Sequence, residues 1–166
     1  LNNLYDASML LCDVAEFAES VDKPTVIVFF GDHLPYLDPE YNVYETIGYS
    51  LKESGAEGFI KQHSTPFVIW GNSAFKNERN HRINNDGGLI SSNFLASKFL
   101  EYIDADLSPY FMFLKDLNRN ISVISNDINI ANGKYEEKIS VELAEKLNDY
   151  RILQYYNFNE YKKPDM

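Results

Sequence analysis

Asp32 and His33 are the residues best placed to do chemistry. They stand in Gly31-Asp32-His33-Leu34-Pro35, directly after the apolar run Thr25-Val26-Ile27-Val28-Phe29-Phe30. A turn at the end of a strand can aim both side chains at one point. In open α/β sheets, ligands gather at the carboxyl ends of strands. A carboxylate oxygen beside an imidazole nitrogen suits Mn²⁺, Zn²⁺ or a similar divalent ion. Gly31 is expected to give the backbone the freedom that turn needs. The same five residues also read as an ordinary Gly-Asp turn next to a structural histidine, and spacing alone leaves both readings open.

The other candidates are more diffuse. His63, ahead of Ser64-Thr65, is either a substrate or supporting contact of the site or an exposed loop histidine. His81 lies in a polar loop with Arg79 and Arg82, arginines that can meet an anion or simply be solvated. Asn120-Ile121-Ser122 fits a glycosylation sequon, a pattern too common to decide anything. Tyr36, Tyr41, Tyr44 and Tyr49 punctuate an acidic stretch and either line a lipid or sugar groove or pack at its rim. There is no Gly-rich phosphate loop, no Gly-x-Ser-x-Gly elbow and no Ser or Thr that stands out as an activated nucleophile.

The elements that would position these residues follow from periodicity. Leu4, Ala7, Leu11, Val14 and Ala18 recur every three or four residues and predict a helix that Asp22-Lys23-Pro24 ends. The unbroken β-branched run after it predicts a strand buried on both faces, as in a parallel sheet covered by helices. Residues 36–62 form a long excursion with a helical stretch around Glu53. A second strand is expected at 66–70, then a polar loop from Lys76 to Gly88. Ser91 or Ser92 can cap a helix carrying Leu95, Phe99 and Tyr102, and Ser108-Pro109 starts another that runs to about Leu117. Asn132-Gly133 signals a hairpin between Ser122–Ile130 and Lys134-Tyr135. Ser140 caps a last helix with Leu143, Leu147, Tyr150 and Gln154 on one side, and residues 157–166 read as a polar tail. Strands interleaved with helices argue for an α/β layered fold. With two convincing sheet strands against the usual four to six or so, a partial layered sheet flanked by helices is expected, ending in a hairpin and helix.

Composition narrows the classes. The chain has 166 residues, 45% of them hydrophobic and 24% charged, which excludes disorder as a description of the whole. It carries a net charge of −10, and residues 1–60 hold 11 acidic against 2 basic side chains. That balance disfavours nucleic acid, which needs clustered Lys and Arg. It suits either a metal cation or a merely solubilising surface. No apolar stretch approaches the ~18 residues of a membrane span, and no signal peptide opens the chain. The chain begins at Leu1, which fits a piece of a longer protein. The one cysteine, Cys12, makes neither an internal disulfide nor a Cys-rich zinc site. Within Met9-Leu10-Leu11-Cys12 it is expected to be a small buried hydrophobe.

Taken in order, these segments resemble a known family. Lys23-Pro24-Thr25-Val26-Ile27-Val28-Phe29-Phe30-Gly31-Asp32-His33-Leu34-Pro35 is similar to the strand-and-metal segment of the sulfatase-like family of lipoteichoic acid synthases and phosphoglycerol transferases, within the alkaline phosphatase superfamily. Leu4–Val21 looks like the helix before that strand, and Thr65-Pro66-Phe67-Val68-Ile69-Trp70-Gly71-Asn72 like the next strand. Ser92-Asn93-Phe94-Leu95 resembles the start of the following helix, and Asp149-Tyr150-Arg151-Ile152-Leu153-Gln154-Tyr155 a C-terminal segment of many members. The likeness covers most of residues 1–156 and departs at Tyr156-Asn157-Phe158-Asn159, where many members have Asp and a Gly-containing turn.

The resemblance implies an alkaline-phosphatase/sulfatase-like fold, with residues 1–156 as the C-terminal portion of a catalytic domain. It implies that Asp32 and His33 are ligands of Mn²⁺ or Mg²⁺, forming half of a metal site. A Thr nucleophile and an acidic ligand then lie upstream of this segment. The Thr attacks the phosphodiester of a phosphatidylglycerol-like lipid, and an acceptor hydroxyl takes the phosphoglycerol for cell-envelope polymer synthesis. The parent is then membrane-anchored with this domain on the extracellular face, while this segment alone is inactive as a transferase and prone to self-associate through an exposed sheet edge. Two alternatives stand beside it. One is a sulfatase, phosphodiesterase or phosphoethanolamine transferase of the same superfamily, since a fold does not settle a function. The other is a non-catalytic binding module that kept the scaffold.

Overall fold

The computed structural model describes residues 2–79, 87–136 and 139–159. The chain is mixed α/β and forms two compact units, residues 1–87 and 88–166.

The first unit opens with α1 (Asn2–Ser20). Ala7, Leu11 and Ala15 are half-buried and Ala18 is buried, so these four define the inward face. Cys12 is exposed, contrary to the burial expected of it. It stands about 100° around the helix from Leu11, so membership of an apolar run does not place it on the inward face. Pro24, which has no N–H to donate, lies past the helix end.

Strand β1 (Val26–Phe30) pairs with β2 (Phe67–Gly71) from Val26 opposite Gly71 to Phe30 opposite Phe67. The pairing is antiparallel, and of the ten strand residues only Gly71 is buried. The parallel, doubly covered strand expected of the apolar run is therefore not what the described residues form. Side-chain type fixes a strand and its faces, whereas the direction of its neighbour is set by the connection between them.

That connection, residues 31–66, contains α2 (Val43–Thr46) and α3 (Gly55–His63). Tyrosine hydroxyls tie it to backbone carbonyls. Tyr44 donates to Pro35 O at 2.5 Å, and Tyr49 donates to Lys61 O at 2.8 Å. Lys61 Nζ lies 5.0 Å over the Tyr49 ring and 2.6 Å from Glu53 Oε1.

Short helix α4 (Ser73–Glu78) follows β2 and takes in Lys76–Glu78, where the sequence predicts the start of a polar loop. Asn72 builds it. This residue is fully buried, and its Oδ1 accepts the N–H groups of Phe75 at 2.9 Å and Thr25 at 3.0 Å. Its Nδ2 faces the carbonyls of Ala18, Lys23 and Val21 at 2.8, 2.9 and 3.3 Å. One amide thus joins the end of α1, the start of β1 and the first turn of α4.

Glu19 adds a second tie, accepting Ser73 N–H at 3.1 and 3.2 Å on its two oxygens. Hydrogen bonds from the Ser73 side chain and then its backbone hold the Glu19 carboxyl below its ordinary value, with Lys76 adding to the effect. The folded carboxyl therefore binds its proton less readily than the unfolded one. Its contribution is complete above the unfolded pKa, ~4.3, and is lost as pH falls through the folded value. In denaturant melts, the native chain should exceed Glu19→Gln in stability at pH 7. That difference should shrink as the pH is lowered below the ordinary carboxylate range; a constant difference at every pH would contradict the assignment.

The second unit has its own core. Its helices are α5 (Leu95–Tyr102), entered through a 3₁₀ turn at Ser92–Phe94, α6 (Pro109–Asn120) and α7 (Val141–Asn159). Strands β3 (Ile121–Ile124), β4 (Asn129–Ala131) and β5 (Lys134–Glu136) form an antiparallel sheet in that order. Asn132 and Gly133, at φ 51° and 73°, make the left-handed turn between β4 and β5. Ser108 Oγ caps α6 by accepting Phe111 N–H at 3.4 Å, with Pro109 in the first turn. Ser91 does not cap with its side chain. Its hydroxyl accepts Ile124 N–H at 2.7 Å and donates to Ile124 O at 3.1 Å, so β3 has captured it. Phe94, Leu114, Leu117, Ile121, Leu147 and Tyr150 form the core with their buried neighbours. Helix α7 continues through Asn159, three residues into the stretch expected to be a polar tail; residues 160–166 lie outside the described residues. No helix among the described residues is long and apolar enough to cross a membrane.

Candidate metal centre

The turn after β1 is held from the opposite strand. Gly31 N–H donates to Pro66 O at 3.1 Å, which extends the β1–β2 ladder past Phe30. Thr65 Oγ1 donates to Gly31 O at 2.7 Å. Both polar groups of the Gly31 backbone are thus fixed by residues 65 and 66. A Cβ on Gly31 would lie 2.8 Å from Thr65 Cβ, closer than side chains tolerate. Gly31 is not among the residues with positive φ. The glycine is required by the close approach of Thr65 and not, as the sequence predicts, by an unusual backbone angle.

Asp32 and His33 project from this fixed point and are 83% and 75% exposed. Asp32 Oδ1 accepts the His33 N–H at 2.8 Å. His33 Nδ1 lies 2.9 Å from Leu34 O. When Nδ1 donates there, Nε2 carries the ring's lone pair, the arrangement found in metal-ligating histidines. Nε2 lies 3.4 Å from Asp32 Oδ2. The donor set, one carboxylate oxygen and one imidazole nitrogen, fits a divalent transition ion. Among the described residues no group of three or more His, Cys, Asp or Glu side chains gathers to hold an ion. Asp32 and His33 accordingly offer two donor groups and not a full coordination shell.

The remaining candidates fall elsewhere. His63 ends α3, with Nδ1 2.8 Å from Phe59 O and its ring stacked on Phe59 at 4.2 Å. Arg79 follows α4, with Nε 4.0 Å from Glu78 Oε1. His81 and Arg82 lie outside the described residues. Tyr44 and Tyr49 serve the excursion's own backbone, whereas Tyr36 and Tyr41 are 85% and 71% exposed. Asn120 closes α6, and its carbonyl accepts Asn132 N–H at 2.8 Å. The residue that sequence reasoning passes over is Thr65, whose only local signal is its place before Pro66 at the start of a strand.

The Sulfatase family model matches residues 1–105. A protein of Rhizobium meliloti (strain 1021) named for cyclic beta-1,2-glucan modification is 29% identical over an alignment of 152 residues that covers 84% of this chain and 22% of that protein. The chain therefore spans under a quarter of that relative's length. No solved structure matches the chain.

Proposed function

This chain belongs to the sulfatase family, and from that premise we propose that it is part of a phosphoglycerol transferase that modifies a cell-envelope glycan. The observation that carries the proposal is the fixed turn after β1, with Asp32 Oδ2 and His33 Nε2 3.4 Å apart and open to solvent. Asp32 and His33 would hold Mn²⁺ or Mg²⁺, together with ligands from upstream of this segment. A divalent ion at such a site supplies charge stabilisation at a transferring phosphoryl group. The Leu34 carbonyl orients the imidazole, Asp32 Oδ1 caps the turn through the His33 N–H, and residues 65–66 hold the backbone beneath both.

The reaction proposed breaks the P–O bond between the phosphoglycerol headgroup and the diacylglycerol of a phosphatidylglycerol-like lipid. The headgroup passes to an upstream Thr hydroxyl and then to an acceptor hydroxyl, which loses its proton as the new P–O bond forms. Diacylglycerol leaves as the free alcohol. The relative named for glucan modification supports a glucan as acceptor, and the likeness of Lys23–Pro35 to phosphoglycerol transferases supports the donor. The lipid donor implies a membrane-anchored parent with this domain on the extracellular face. The test supplies the full-length protein with Mn²⁺, phosphatidylglycerol labelled in its headgroup glycerol, and a cyclic β-1,2-glucan. Label in the glucan with release of unlabelled diacylglycerol is the expected result. Sulfate release from an aryl sulfate without headgroup transfer would instead favour the sulfatase reading that the family's name carries.

A further inference from the structure

We infer that Thr65 is a positioning residue for the metal pair, acting through the Gly31 carbonyl; the inference rests on the reading of Asp32 and His33 as ligands. Thr65 is half-buried and lies 34 positions from Gly31 in sequence, yet its hydroxyl donates to Gly31 O at 2.7 Å. That carbonyl belongs to the peptide that leads into Asp32, so its orientation sets where the Asp32 side chain begins. Gly31 N–H is already held by Pro66 O. The Thr65 bond therefore adds no strand pairing; it removes the freedom of the Gly31–Asp32 peptide to rotate. The site needs this restraint because both side chains are exposed and, among the described residues, their own hydrogen bonds run only to each other and to Leu34.

The side-chain type matches the task. Thr is β-branched and stiff about χ1, so its hydroxyl is held toward one acceptor. Its Cβ and Cγ2 occupy the space beside Gly31, where a glycine Cβ would fall 2.8 and 3.2 Å from them. Hydroxyl and methyl thus divide the work: the methyl side fills the notch that the glycine leaves, and the oxygen fixes the peptide. Partners that orient metal ligands from behind are worth roughly 10- to 100-fold in metal affinity.

The test measures Mn²⁺ binding to the full-length protein by the paramagnetic signal of free Mn²⁺, for the native protein, Thr65→Val, Thr65→Ser and Asp32→Ala. Thr65→Val keeps the shape and deletes the hydroxyl; it should weaken Mn²⁺ binding about 10-fold or more. Thr65→Ser keeps the hydroxyl and should stay within about threefold of native. Both should melt, metal-free, close to the native protein, because the strand ladder is untouched. Native affinity in Thr65→Val, or equal loss in Thr65→Val and Thr65→Ser, overturns the inference. So does a Thr65→Val protein that is unfolded without metal, since Thr65 would then serve the fold. Unchanged Mn²⁺ binding in Asp32→Ala would instead sink the underlying metal reading, whatever Thr65 does.

Discussion

Replacing Asp32 by Ala, or His33 by Ala, in the full-length protein should lower metal-dependent turnover about 10³-fold or more while leaving the melting temperature nearly unchanged. The first half follows from the chemistry proposed for the pair. Charge stabilisation of a transferring phosphoryl group is worth several kcal/mol, and each 1.36 kcal/mol is about tenfold in rate. The second half follows from exposure. At 83% and 75% exposed, the two side chains bury little apolar surface, and exposed substitutions usually stay within about 0.5 kcal/mol. The Asp32 carboxylate gives up one turn hydrogen bond, to the His33 N–H, which water replaces. The separation of the two effects is the informative part. Loss of turnover together with a large loss of stability would make the turn a folding element, and full turnover in either variant would remove it from the reaction.

The largest effect on stability is expected at Asn72. Asn72→Ala should cost the first unit on the order of 3–5 kcal/mol, the range of a disrupted buried network. The helix cap accounts for about 1 kcal/mol of this. The rest comes from the Thr25 N–H and the Ala18 carbonyl losing this partner, at roughly 1–3 kcal/mol for each group left buried and unmade, whereas Lys23 O keeps the Thr25 hydroxyl. Asn72→Asp is the sharper variant. Asp is a good N-cap, so a residue that only capped α4 would tolerate it. Here the new oxygen would face three carbonyls in place of an amide donor, and the loss should equal or exceed that of Asn72→Ala. Trp70, the chain's one tryptophan, sits in β2 two residues away, so its fluorescence during denaturant unfolding reports this unit. An Asn72→Asp chain with a native midpoint would show that the cap alone matters.

Local signals were legible and non-local ones were not. The spacing of Ala7, Leu11 and Ala18 predicts α1, and Ser108-Pro109 predicts the start of α6, because helix periodicity and caps are written within a few residues. The apolar run at 25–30 predicts a strand but not its antiparallel partner 41 positions away, where Val28 meets Ile69. Helix α4 escapes notice because six residues are too few for a periodic stripe, and its first turn is organised by Asn72, which also reaches back to Ala18 and Lys23. Ser91 looks like a helix cap, yet its hydroxyl is taken by Ile124, 33 positions on. The candidate site divides in the same way. Asp32 and His33 are visible because they are adjacent and follow a strand. Thr65 is not, because its role exists only once β2 lies beside β1 and brings it to Gly31.

The most direct test is a thermal melt of the full-length protein and its Asp32→Ala variant, each with Mn²⁺ raised to about 100 times the native dissociation constant. A ligand that binds only the folded state adds about 2.7 kcal/mol at that concentration. The native protein should melt correspondingly higher with Mn²⁺ than without it, and Asp32→Ala should show little or none of that shift. An equal shift in both proteins, or no shift in the native one, would contradict the assignment of the turn after β1 as a metal-binding pair.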